Sequence, residues 1–305
     1  MKRTTIVLAL LLLASCILTG CKAQSGSENS SKVYASIYPI YYLTDRIAEN
    51  GVDVEIVMPP SADPHNWEPS LKQMAELEDC ALFIYNGAGL EQWAAKASQI
   101  AAGNNAAVLE VASALNGQLI SATGNEGEHS VDPHFWLNPV MAKEMAVAIR
   151  DSLIELDPDN AELYSNNYSL LAQDLEQLDE EYEATLSHCQ KKEFVVTHQA
   201  FGYLAQRYGL KQIHIMGISA ESEPTPSRLA QLTKTLKELD IRYVFTEPFT
   251  GSRVAQVLAT ETGAKVLELN PIGGLTEEEQ KSGADYLSLM RENLKQLKVA
   301  QEYAE

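Results

Sequence analysis

The chain has 305 residues, of which 42 are acidic and 23 basic, giving a formal net charge of −19. That balance excludes a nucleic-acid binder, which needs a basic face. With 45% hydrophobic residues and no long low-complexity tract, the composition is that of a globular protein.

Lys2 and Arg3 precede an apolar run from Ile6 to Leu18. The run is shorter than the roughly 20 residues a spanning helix needs and has the shape of an export signal. "KAQSGSENSSK" follows Cys21 and is small, polar and aperiodic, as a flexible tether would be. From there, short β-branched or aromatic runs alternate with helical patterns. "KVYASIY" (32–38), "VDVEIVM" (52–58), "CALFIYNG" (80–87) and "AAVLEV" (106–111) read as strands. So do "EFVVTH" (193–198), "KQIHIMGI" (211–218), "IRYVFTE" (241–247) and "AKVLELN" (264–270). Two such blocks predict an α/β protein with two similar lobes, each a mainly parallel four-stranded sheet with flanking helices.

Between the blocks, Tyr164, Tyr168, Leu171, Leu175, Leu178, Tyr182 and Leu186 recur at helical spacing. Asp157-Pro158 suits a helix start. This is the stripe of one long helix, read as a rigid strut joining the lobes. The expected organisation is a signal peptide over 1–20, a tether over 21–32 and an N-terminal lobe over 33–158. A linking helix over 159–190 and a C-terminal lobe over 191–305 complete it. Cys80 and Cys189 fall in different predicted lobes and are expected to be two buried thiols. There is no CxxC pattern to suggest a thiolate metal site.

The chain has six histidines. His65 lies in "ADPHNWEPS", after the strand at 52–58, and His134 lies in "VDPHFWLNP". Asp-Pro-His-x-Trp is thus written twice, in loop-like surroundings. His198 ends the strand at 193–198, where ligands of open α/β sheets collect. Pro64 and Pro133 stiffen the backbone before two of the three. Three neutral imidazoles converging on one point would suit a borderline divalent ion, above all zinc. Asp63 or Asp132 would be placed to accept the other ring N–H of its histidine. Trp67 and Trp136 would either wall off water or simply pack. His188 is expected to be solvated and His214 structural, while His129 would be at most an accessory ligand.

The motifs that carry a family resemblance run through the mature chain: "SIYPIYYL", "MPPSADPHNWEPS", "DPHFWLNP", "THQAFGYLAQRYGL", "GISAESEPTPSRL", "VFTEPF" and "LNPIGGLTEEE". The chain resembles the metal-binding receptors of ABC importers for zinc and manganese, the group with a rigid helical backbone between two lobes. "LTGC" resembles the bacterial lipobox, which implies that Cys21 is the lipidated first mature residue. The protein would then sit at the outer face of the cytoplasmic membrane as a monomer. Its partners would be an ABC permease and that permease's cytoplasmic ATPase.

Carried over residue by residue, the family's first three metal ligands fall on His65, His134 and His198. Manganese-favouring members resemble this pattern but have a glutamate where His198 stands, so the third nitrogen argues for Zn(II) as the transported ligand. The chain departs from the family at the fourth ligand. Asn270 and Gly273 stand where other members carry a carboxylate. Glu247, after a strand in the same lobe as His198, is a candidate for that place, or else an ion-pair or backbone acceptor at the strand end. A manganese receptor is the alternative within the family. Outside it, a surface zinc hydrolase or an adhesin would be the alternatives. There is no HExxH and no G-x-S-x-G to support catalysis, and the protein is not expected to be an enzyme.

Overall fold

The computed structural model describes residues 32–115, 117–121, 131–218, 224–249 and 253–304. The expected signal, Cys21 and His129 lie outside the described residues. Among the described residues, eight strands form two sheets, and every pairing among them is parallel. In the N-terminal lobe β1 (Lys32–Ala35), β2 (Asp53–Ile56), β3 (Leu82–Tyr85) and β4 (Ala107–Glu110) lie in the order β2-β1-β3-β4. The C-terminal lobe repeats this with β5 (Glu193–Val196), β6 (Lys211–His214), β7 (Tyr243–Thr246) and β8 (Lys265–Glu268), in the order β6-β5-β7-β8. The two lobes therefore share one topology, with the chain reversing direction of growth on either side of the first strand of each. That reversal leaves a crevice at the carboxyl ends of the strands.

The strands are shorter than the apolar runs that announce them. The run predicted over 32–38 pairs to Ala35, one more ladder bond follows from Ser36 N to Ile84 O, and then a helix begins at Tyr38. Pro39 in the first turn accounts for the change, because it has no N–H for a ladder but suits a helix start. Beyond β2, Val57 and Met58 still donate to Ala35 and Ser36, after which Pro59 and Pro60 end the pairing.

The long helix spans Ala161–Leu186, 26 residues, or roughly 39 Å at 1.5 Å per residue. Six of the seven predicted stripe positions are buried; Tyr168 is half-buried, under the Arg150 guanidinium. The stripe faces helices from both lobes: Tyr38–Ala48 and Pro139–Leu156 from the first and Tyr286–Ala300 from the second. Ion pairs fix it at its flanks, Arg46 to Asp174 on one side and Arg207 to Asp179 and Arg291 to Glu181 on the other. Tyr182 donates its hydroxyl to the Met290 carbonyl at 2.6 Å. The helix is thus a spine shared by both lobes, whose core is continuous from β1 to the C-terminal helix. Cys80 and Cys189 are both free and buried, and burial pushes the Cys80 thiol up to about 11.

Candidate metal centre

Both Asp-Pro-His segments fold into the same local turn. Asp63 accepts the backbone N–H of His65 at 3.0 Å, and Asp132 accepts that of His134 at 3.0 Å. A short carboxylate caps the N–H two residues on, and the intervening proline offers no competing donor. The repeat therefore fixes the backbone of each histidine in the same way. His198 comes by another route, immediately beyond β5 and Thr197.

The three rings converge. His65 Nε2 and His134 Nε2 are 3.0 Å apart, and His198 Nε2 is 3.4 Å from His134 Nε2. One ring nitrogen from each residue lies within 4.8 Å of the others. With zinc–nitrogen bonds of about 2.0–2.1 Å, the nitrogens at the corners of a tetrahedron stand about 3.3–3.4 Å apart. The set has the size of a zinc site.

Carboxylates stand behind the His134 and His198 rings. Asp132 Oδ1 lies 2.8 Å from His134 Nδ1, so that ring carries its proton on Nδ1 and presents the Nε2 lone pair to the cleft. Glu247 Oε2 lies 2.5 Å from His198 Nδ1, a close ion-pair contact. The other Glu247 oxygen accepts from Thr197 Oγ1 at 2.5 Å and from His198 N at 3.2 Å. Glu247 thus stands behind His198 as well as lining the cleft.

The electrostatics follow from this packing. Burial, reinforced by the neighbouring His134 and His198, lowers His65 to about 3. Burial, with His198 adding to it, also takes His134 well below the ordinary imidazole value. Burial opposes charge on His198 too, but Glu247 outweighs it and the pKa is raised. Asp132 is raised to about 7 by burial, against the pull of the His134 N–H. Two imidazoles are therefore held neutral and ready to donate lone pairs, and two carboxylates lie one atom layer behind.

The two tryptophans of the repeat part company. Trp136 is fully buried, lines the cleft and packs against His134 with ring centroids 5.3 Å apart. Trp67 is only half-buried and instead meets Trp93 edge-on at 5.5 Å. Asn270 does not line the cleft. Its Oδ1 accepts from Ile272 N and its Nδ2 donates to Glu279. Gly273 does line it, with Pro271 and Phe249. Phe249 and the backbone around Pro271 carried no chemical signal of their own in the sequence. His188 is exposed and bonds its own helix end, and His214 ends β6; neither joins the site.

The sequence profile described as "Zinc-uptake complex component A periplasmic" (ZnuA) matches residues 33–300. The chain belongs to the ZnuA family. Among ZnuA relatives, the high-affinity zinc uptake system protein ZnuA of Bacillus subtilis is 36% identical, over 94% of this chain and 93% of its own. The zinc-binding lipoprotein AdcA of Streptococcus pneumoniae is 34% identical over 98% of this chain, which spans only 61% of that longer protein. The Zn(II)-bound ZnuA-like domain of the same species' AdcA superposes with a TM-score of 0.77 at 35% identity, covering 90% of this chain and 99% of that domain.

Proposed function

We propose that this protein is the extracytoplasmic receptor of an ABC importer, capturing zinc between its lobes at His65, His134 and His198. It would hand the ion to a membrane permease driven by a cytoplasmic ATPase. The observation that carries the reading is the convergence of three Nε2 atoms, two of them on rings oriented from behind by Asp132 and Glu247. Its agreement with the zinc-binding names among the relatives supports the choice of ion. In this reading Glu247 orients His198 and offsets part of the ion's charge, and a solvent oxygen from the cleft completes the coordination. The carboxylates nearest the imidazoles are spent on ring nitrogens instead of standing free as a base for water, which favours a receptor over a hydrolase.

Competition for metal tests this. Dialysed against equal zinc and manganese, the protein should retain one zinc per chain, exclude manganese and turn over no ester, amide or phosphate substrate. Preferential manganese retention would contradict the choice of ion, and turnover would contradict the receptor reading.

The same reading attaches the monomer to the outer face of the membrane through lipid on Cys21, since "LTGC" has the lipobox pattern. Cys21→Ala should release the chain from membranes or leave its signal uncut. A variant that remains anchored and normally processed would remove the lipid from the account.

A further inference from the structure

One short segment of the C-terminal lobe touches both histidine-bearing segments of the N-terminal lobe. In residues 270–275, the Pro271 carbonyl accepts from Trp136 Nε1 at 2.8 Å, two residues beyond His134. The Leu275 N–H donates to the Pro60 carbonyl at 2.7 Å, at the base of the loop that carries His65. Between these two bonds the backbones nearly touch. A Cβ added at Gly273 would lie 2.9 Å from Pro64 Cγ, and one at Gly274 would lie 2.2 Å from the Pro60 carbonyl oxygen. Only glycine permits the second approach, because the opposing atom is backbone and cannot swing aside.

The turn that makes these contacts is strained. Ile272 is fully buried with φ of 56°, a left-handed conformation that is a genuine outlier for a β-branched residue. Its N–H is held at 2.7 Å by Asn270 Oδ1, and Asn270 Nδ2 donates in turn to Glu279 Oε1 at 2.7 Å. The amide orientation is unambiguous, since an N–H needs an acceptor on one side and a carboxylate needs a donor on the other. Asn293 holds the Asn270 backbone at both ends, at 2.8 and 2.6 Å. Every polar group of residue 270 is thus engaged in fixing the turn.

We propose that Asn270 is a positioning residue whose amide locks the 270–275 turn into its strained form. So held, the turn clamps both histidine segments and sets zinc retention without touching the ion. This rests on the zinc-receptor reading above. Asparagine suits the place because its amide accepts from Ile272 with one atom while donating to Glu279 from the other. The clamp also accounts for glycine at 274.

The test turns on a sign. Asn270→Asp is isosteric and would strengthen binding if residue 270 were a ligand. In the clamp it instead sets a carboxylate oxygen against Glu279 Oε1. At mildly alkaline pH, where the two carboxyls do not share a proton, zinc affinity should fall and release to a chelator should quicken by roughly tenfold. Adding Glu279→Gln to Asn270→Asp should restore native release. Gly274→Ala reaches the clamp independently: release should accelerate in a protein that still folds. Tighter or unchanged binding in Asn270→Asp, no restoration by Glu279→Gln, or a lower melting temperature without faster release in Gly274→Ala would each overturn the proposal. Failure of the unaltered protein to bind zinc would instead overturn the receptor reading.

Discussion

Replacing His134 with alanine is expected to weaken zinc binding by roughly a hundred- to a thousandfold. Structural zinc sites with four ligands bind with apparent free energies of about 10–16 kcal/mol, so one imidazole accounts for about 3–4 kcal/mol, or that ratio in affinity. His134 is the first to change because its Nε2 lies 3.0 and 3.4 Å from those of His65 and His198. Glu247→Gln should cost less, about ten- to a hundredfold, as orienting partners of metal-bound histidines do. Isothermal competition against a chelator of known affinity separates the two. Equal losses for His134→Ala and Glu247→Gln would mean that Glu247 binds the ion directly. A silent His134→Ala would remove that residue from the site.

The second large effect is on stability. Zinc bound by the native state alone, at about 100 times its dissociation constant, adds roughly 2.7 kcal/mol. For a domain pair of this size the melting temperature should rise by roughly 5 °C or somewhat more. Manganese should raise it less, because three imidazole nitrogens favour the softer ion. A larger shift with manganese would mean that the ligand argument from His198 is wrong. The rise should also disappear in the His134→Ala variant, which ties the stabilisation to this cleft and not to the acidic surface.

The architecture was legible because its signals are local. The β-branched runs marked all eight strands, and the stripe from Tyr164 to Leu186 marked the spine with its buried face. The runs overshoot the paired strands, and over 32–38 the cause is Pro39, which starts a helix. The histidines were legible from the repeated motif at His65 and His134 and from the strand that leads into His198. What the sequence could not convey was the direction of side chains across the cleft. Trp67 and Trp136 occupy the same place in the same repeat, yet only Trp136 reaches the cleft, because the first repeat packs its tryptophan on Trp93 instead. Glu247 looked equally suited to binding the ion or to orienting a neighbour. In the structure its carboxylate meets His198 Nδ1, a contact that depends on side-chain placement across the strand ends. Asn270 was conspicuous as a missing carboxylate. Its role depends on the backbone angle of Ile272 and on a partner nine residues away, neither of which has a sequence signature.

X-ray absorption at the zinc edge of the loaded protein shows whether zinc sits among three imidazoles supplied by both lobes. The expected shell has three imidazole nitrogens at about 2.0–2.1 Å with one oxygen beside them. A shell with fewer than three imidazoles, or one containing sulfur, would contradict it.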